Sequence, residues 1–299
     1  MRSIYAPVLL SMPNLVRASA VCDLNESAAA AVAGQFTNTS VFTDAEAMLR
    51  KAGLDVVLVL TSVKVNARMA RMVLRANLPV YLEKPPAVNS VELEELIAAE
   101  AQSPAKIYTA FNRRHTPLFA NLDFSPKKLR RVYGALKRLN RPVATFPHTS
   151  VHLIDSAQHF ADSLFKIWQV DFERKAENSV WTVHGRLENG AGCVLEFVPD
   201  GKEFAEFLVL ETDGAAWELR FPSTDGVVKE GELVLRPGDG SPSTVTRGEK
   251  AMPFFEAMGF RACLQDFLRQ LETGNISGHR LASCRSTIRI MEEMEIRAN

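Results

Sequence analysis

The sequence predicts an α/β protein. Its first 115 residues should form a doubly wound parallel sheet, and residues 116–299 an α/β part with an open, mostly antiparallel sheet. Three observations carry this. Strand-like and helix-like stretches alternate without a break from about residue 17 to 110, which demands right-handed crossovers. Residues 55–60 (DVVLVL) are a continuous apolar run, as in a strand buried on both faces. After residue 115 short strand-like runs follow one another, separated by Asn189-Gly190, Asp213-Gly214 and Pro237-Gly238-Asp239-Gly240. A length of 299 residues suits two domains, 1–115 and 116–299.

Taken in order, residues 4–11 read as the tail of a helix ended by Met12-Pro13-Asn14. Residues 17–22 read as a strand leading to Asp23, and 25–34 as an alanine-rich helix stopped by Gly34. Val41-Phe42 is a short extended piece. Thr43-Asp44-Ala45-Glu46 has the spacing of a capping box with Thr43 as the cap, opening a helix that ends at Gly53. After the apolar strand comes a helix over 66–76. Its Arg68, Arg71 and Arg75 fit a solvated face better than an anion site. Residues 80–82 form the next strand, which runs into Glu83-Lys84 and then Pro85-Pro86. Two prolines continue neither a strand ladder nor a helix interior, so the chain turns here. Open α/β sheets place ligands at such strand ends, which makes Lys84 the first residue to suspect of chemistry. A helix over 90–101 and a strand over 106–110 follow, then Phe111-Asn112-Arg113-Arg114.

Farther on, 148–160 reads as a helix. Residues 167–172, 179–187, 193–198, 205–212, 216–221 and 232–236 read as strands, and 253–271 and 280–297 as closing helices. Trp168, Trp181 and Trp217 fall in strand-like runs, which favours sheet packing over a sugar platform.

Lys+Arg and Asp+Glu are both 35, which gives no electrostatic reason to expect nucleic acid or an anionic membrane as partner. The four cysteines lie apart, with no CxxC pair for a zinc knuckle or disulfide framework. The apolar N-terminus is broken by Pro7 and Pro13 and is a poor secretory signal. No stretch reaches the roughly 18 apolar residues of a membrane span. A cytoplasmic protein is expected.

Five stretches resemble the glucose–fructose oxidoreductase / inositol dehydrogenase (Gfo/Idh/MocA) family: SIYAPVLLSMPNL with AVCDLNE, DVVLVLTS, VYLEKPPAVNSVELEELIA, FNRRHTP and SVHLIDSAQHF. The resemblance implies a Rossmann domain followed by an open-sheet domain. It implies NAD or NADP as cofactor and a secondary alcohol or ketone of a sugar, cyclitol or similar polyol as substrate. Lys84 would polarise the substrate oxygen, and His152 would act as acid/base. Thr61, Ser62, Glu83 and Lys84 would line the cofactor. Asp23, if it is more than a turn former, would hold the ribose hydroxyls and lean the choice toward NAD, because a carboxylate repels a 2′-phosphate. Asn112, Arg113 and Asp155 would meet the substrate, although a structural salt bridge serves Arg113 equally well. A homo-oligomer through the antiparallel sheet is also implied.

Two departures stand out. The family opens with a strand and a G-x-G-x-x-G/A turn, whereas no glycine precedes Gly34 here, so the first strand of the Rossmann sheet is expected to be missing. A longer natural chain, a relative without dinucleotide binding, and a second chain filling the place all stay open. The family's D-x-x-x-H becomes His148-x-x-x-His152. A histidine at the first position can relay a proton but cannot hold an imidazolium as a carboxylate does. The same helix spaces His148, His152, Asp155 and His159 at i, i+4, i+7 and i+11. That spacing admits a metal, but the expectation is none. Two other functions remain: a cofactor-free sensor, regulatory or partner subunit, and a non-redox lyase, isomerase or hydrolase using Lys84 with the two histidines.

Overall fold

The chain enters through α1 (Arg2–Leu10) and then builds a small parallel pair, β1 (Ala20–Cys22) with β2 (Ser40–Phe42), Val21 opposite Val41. The computed structural model describes residues 2–175, 178–223, 229–274, 276 and 280–298. Between the two strands lies α2 (Glu26–Ala33), capped by Asn25, whose Oδ1 accepts the Ala28 N–H at 3.1 Å. The next helix, α3 (Ala45–Lys51), is capped by Asp44 rather than Thr43. Asp44 Oδ1 takes the N–H groups of Glu46 (2.8 Å) and Ala47 (3.1 Å), the donors a cap must satisfy, and a carboxylate also favours the helix N-terminus.

A second parallel sheet follows: β3 (Val57–Val59), α4 (Val63–Arg75), β4 (Val80–Glu83), α5 (Ser90–Ala101) and β5 (Ile107–Ala110), in the order β3-β4-β5. Every residue of β4 and β5 is buried. Ala70, Val73, Leu93 and Leu96 of α4 and α5 pack on one face, and Tyr5 and Val8 of α1 on the other. The strand–helix alternation is as expected, but the doubly wound sheet lies in two pieces. Among the described residues no strand hydrogen-bonds to both β1 and β3.

The second half contains β6 (Leu129–Leu139), α6 (Pro147–Phe160), β7 (Phe165–Arg174), β8 (Ser179–Leu187), β9 (Gly192–Gly201), β10 (Ala205–Thr212), β11 (Ala215–Arg220), β12 (Glu232–Pro237) and β13 (Thr244–Arg247). They form one sheet in the order β13-β12-β11-β10-β6-β9-β8-β7, antiparallel except for β6 beside β9. Its central strand, β6, escapes the sequence patterns. Its outward residues Arg131 and Lys137 pair with Glu211 (2.7 Å) and Glu203 (2.8 Å), so LRRVYGALKRL looks like a solvated segment. The opposite face of the sheet packs on α6 and on α9 (Arg285–Ala298): Leu153, Ile154, Ala157, Ile290 and Met294 meet Val132, Leu136, Leu195 and Leu208.

The expected helix over 253–271 is two, α7 (Phe254–Ala257) and α8 (Phe260–Glu272). Gly259 breaks it at φ +79°. A Cβ there would lie 2.4 Å from the Asn112 carbonyl oxygen. Phe267 of α8 then packs on Tyr81 and Tyr108, so a late helix returns to close over the β3-β4-β5 sheet. No helix among the described residues is long and apolar enough to cross a membrane, and all four cysteines are free thiols.

Candidate active site

The candidate site is built where β4 ends. Asn66 on α4 fixes the turn: its Nδ2 donates to the carbonyls of Glu83 (3.0 Å) and Pro85 (3.1 Å), while its Oδ1 accepts from Thr61 Oγ1 (2.7 Å). The Lys84–Pro85 bond is cis. Glu83 is buried; Oε1 accepts from the Tyr5 hydroxyl (2.9 Å) and Oε2 from the Lys84 N–H (2.9 Å). Burial pushes the Glu83 carboxyl above its ordinary range, against the opposing pull of Lys84 and Tyr5. Lys84 itself is half-buried. Desolvation brings its ammonium down to about 8; Arg113 and Arg138 push the same way, and Glu83 and Glu206 oppose them.

Near Lys84 lies a charged network that only the folded chain assembles. Arg113, just beyond β5, places Nε on Glu206 Oε1 (2.8 Å) and Nη2 on Oε2 (3.1 Å), a bidentate pair. Arg138 on β6 also donates to Glu206 Oε2. Glu206 is 5% exposed, Arg113 8% and Arg138 7%, so three charges lie out of water. Burial alone would raise the Glu206 carboxyl, but the two guanidinium groups outweigh it and hold it at about 2. Arg113 Nη1 reaches further, to His152 Nε2 at 3.2 Å and to Asn112 Oδ1 at 3.3 Å. His152, on α6, is 6% exposed, and its Nδ1 has no hydrogen-bond partner. Burial, and then Arg113, Lys84 and Arg138, hold its imidazole well below the usual histidine range.

Lys84, Glu83, Arg113, Asn112 and His152 therefore share one region. The other candidates point elsewhere. His148 Nε2 lies 2.7 Å from Glu295 Oε1 on α9. Asp155 takes Arg114 Nε (2.9 Å) and Nη2 (2.5 Å) on its two oxygens. His159 is exposed and touches the Phe160 ring edge. The four metal-spaced residues of α6 thus have separate surroundings, and among the described residues no group of three or more His, Cys, Asp or Glu could hold a metal. Arg71 pairs with Glu95, as a solvated helix face would. Asp23 is exposed at the end of β1, its Oδ1 accepting the Asn25 N–H (2.8 Å). Ser62 is the N-cap residue of α4, with no side-chain capping bond.

Glu206, Arg138, Asn66 and Tyr5 were not candidates from the sequence. Glu206 had a signal. It shares the core-facing register of β10 with Leu208 and Leu210 and lies directly opposite Leu136, so a carboxylate stands in an apolar alternation. Arg138 is two residues along from Leu136, on the same face of β6.

Parallel strands ending in polar residues, followed by an open, largely antiparallel sheet whose helix carries a buried histidine, define a Rossmann-type two-part scaffold. Residues 1–111 match the Gfo/Idh/MocA family, described as an oxidoreductase family with an NAD-binding Rossmann fold. The chain's whole fold is similar to that of a dehydrogenase from Chromobacterium violaceum (19% identity, TM-score 0.83, covering 96% of this chain and 88% of that one). It is also similar to a Gfo/Idh/MocA family oxidoreductase from Vibrio cholerae (18%, 0.80, 99% and 95%). A levoglucosan dehydrogenase solved with NADH and levoglucosan is a third (15%, 0.79, 99% and 94%). Among curated proteins no sequence matches the chain.

Proposed function

We propose that the protein is an NAD(P)-dependent oxidoreductase acting on a secondary alcohol or ketone of a sugar, cyclitol or similar small molecule. The observation that carries it is Lys84 at the end of a buried parallel strand, its ammonium brought down to about 8, close enough to Arg113 and buried His152 to act on their charges, with Arg113 in contact with His152. An amine of that pKa is near the optimum for exchanging a proton at neutral pH. In the oxidative direction the neutral Lys84 amine accepts the hydroxyl proton as the carbonyl forms. A bound nicotinamide would supply or accept the hydride.

The residues at the strand ends fit such a cofactor. Asp23 is an exposed carboxylate just beyond β1 that would hold the ribose hydroxyls. Thr61 and Ser62 are exposed beyond β3, and Glu83 and Lys84 end β4. Asp23 favours NAD over NADP. Arg113 and Asn112 border the substrate side, while His148 and Asp155 support α6 through Glu295 and Arg114. The open sheet face is the surface for a homo-oligomer, and the compartment is cytoplasmic.

One observation favours a second reading. β1–β2 and β3–β4–β5 are unconnected among the described residues, which suits a cofactor-free relative acting as a sensor, regulatory or partner subunit. Calorimetry with NAD(H) and NADP(H) separates the two. Binding at millimolar cofactor or below, with turnover lost in Lys84→Met, supports the oxidoreductase; no binding at millimolar cofactor overturns it.

A further inference from the structure

We infer that Tyr5, on α1, is a positioning residue for Lys84: its hydroxyl proton holds Glu83 as the carboxylate that offsets the lysine's charge. The inference rests on the proposed reaction for its effect on turnover, but not for the protonation of Lys84 itself.

The geometry starts from a buried carboxylate at the end of β4. Glu83 is 5% exposed and Tyr5 2%. The Lys84 N–H takes Glu83 Oε2 at 2.9 Å, so Oε1 depends on another donor. Tyr5 supplies it at 2.9 Å, from a helix 78 positions away in the chain. A hydroxyl has one proton. With that proton on Glu83, the Tyr5 oxygen is left to accept, and the Tyr81 hydroxyl stands 3.3 Å from it. The order of donation is therefore Tyr81 to Tyr5 to Glu83. The Tyr5 ring is held in place edge-on by Tyr81 (5.8 Å between centroids) and Phe260 (5.7 Å), which fixes the aim of its hydroxyl.

An ionised carboxylate only accepts hydrogen bonds, so donors favour it and their loss favours the protonated acid. Burial already pushes Glu83 toward the acid; Lys84, the Tyr5 hydroxyl and Arg113 oppose it. Tyr5 itself stays a donor, since burial and the neighbouring Glu83 hold its phenol well above the ordinary range. Besides burial, the groups acting on Lys84 are Glu83 on β4, Arg113 from beyond β5, Glu206 from β10 and Arg138 from β6. Glu206 is committed to the two arginines, so Glu83 is the anion left to offset the lysine. His152 on α6 and Cys263 on α8 also act within this cluster, and both are neutral at pH 7. Burial holds the imidazole well below the usual histidine range and pushes the thiol up to about 12. Without the Tyr5 hydroxyl, Glu83 takes a proton more readily and Lys84 loses its counter-charge. The ammonium then gives up its proton at lower pH.

Tyr5→Phe removes the hydroxyl and keeps the ring. Lys84 is followed in 1H–13C spectra of protein labelled at lysine Cε, its signal assigned by its loss in Lys84→Met. Wild-type Lys84 should titrate near 8. Tyr5→Phe should move that titration down by at least about 0.5 pH units, and Glu83→Gln, which cannot carry the charge, by at least as much. In the Glu83→Gln background Tyr5→Phe should add nothing, because the hydroxyl acts through the carboxylate. An unchanged Lys84 titration in Tyr5→Phe overturns the inference. So does a shift that persists undiminished in Glu83→Gln, since the hydroxyl would then act by another route. If Tyr5→Phe does not fold, Tyr81→Phe reads the same chain one step out. A smaller downward shift is expected there, and no shift overturns the inference.

The kinetic readout is separate. The limb of kcat/KM near 8 should move in Tyr5→Phe by the same amount as the Lys84 titration. A limb that stays put while the spectra shift would count against Lys84 as the proton acceptor, not against Tyr5. Absence of any nicotinamide-linked turnover in the wild type would likewise count against the proposed reaction and leave Tyr5 to the spectra.

Discussion

Glu206→Gln is nearly isosteric and removes one charge, leaving the buried guanidinium groups of Arg113 and Arg138 without the carboxylate between them. The folded carboxyl sits at about 2, against an ordinary value of 4.5. Each unit is worth about 1.4 kcal/mol, so the ionised group contributes on the order of 3 kcal/mol at pH 7. That agrees with the roughly 3–5 kcal/mol typical for breaking a buried ion pair from one side. Unfolding entropy of about 2 cal/mol/K per residue over this chain converts 3 kcal/mol to a fall in Tm of about 5 °C. The sign with pH follows from the depressed pKa. The stabilisation is complete above about 4.5 and disappears as pH falls toward 2. The gap between wild type and Glu206→Gln should therefore shrink to about half its neutral value by pH 3. Paired thermal and urea melts at pH 7, 5, 4 and 3 measure it. A gap that stays constant across this series, or a fall in Tm below about 2 °C at pH 7, would show that the two arginines do not depend on Glu206 for their charge balance.

Two further perturbations probe the site and its scaffold. With Lys84 brought down to about 8, kcat/KM for alcohol oxidation should rise with pH through about 8, and that for ketone reduction should fall through the same point. A single limb near 6.5 in the pH–rate profile would assign the proton to a histidine instead. Gly259→Ala places a methyl group within 2.6 Å of the backbone of Asn112 and His115 at a positive φ, so it should lower Tm by at least about 5 °C. An unchanged melt would show that the α7–α8 break and the segment after β5 are not rigidly coupled.

The legibility of this chain follows the range of its interactions. DVVLVL and the strands on either side of it announce a buried parallel sheet, because a strand covered on both faces must be apolar along its whole length. Glu83-Lys84-Pro85-Pro86 announces a turn at a strand end, because proline chemistry is local. Asp44 was available as a cap one residue from Thr43, and only the geometry of the first turn decided between them. β6 stayed hidden because half of its residues face outward, where Arg131 and Lys137 are neutralised by glutamates about 80 and 66 positions away in the chain. The pattern of one strand does not reveal its partner's charges.

The site divides in the same way. The sequence by itself determined that Lys84 ends a buried strand, that His152 lies on a helix, and that Arg113 follows the last parallel strand. It also put His148 and Asp155 beside His152 at helical spacing, although their partners are Glu295 and Arg114, on other elements. Only the tertiary structure decided which nitrogen of His152 is free. That depends on Arg113, which depends on Glu206, which depends on the register that sets β10 against β6. These residues are 39 to 93 positions apart. A proton on an imidazole is placed by the donors and acceptors within about 3 Å of it.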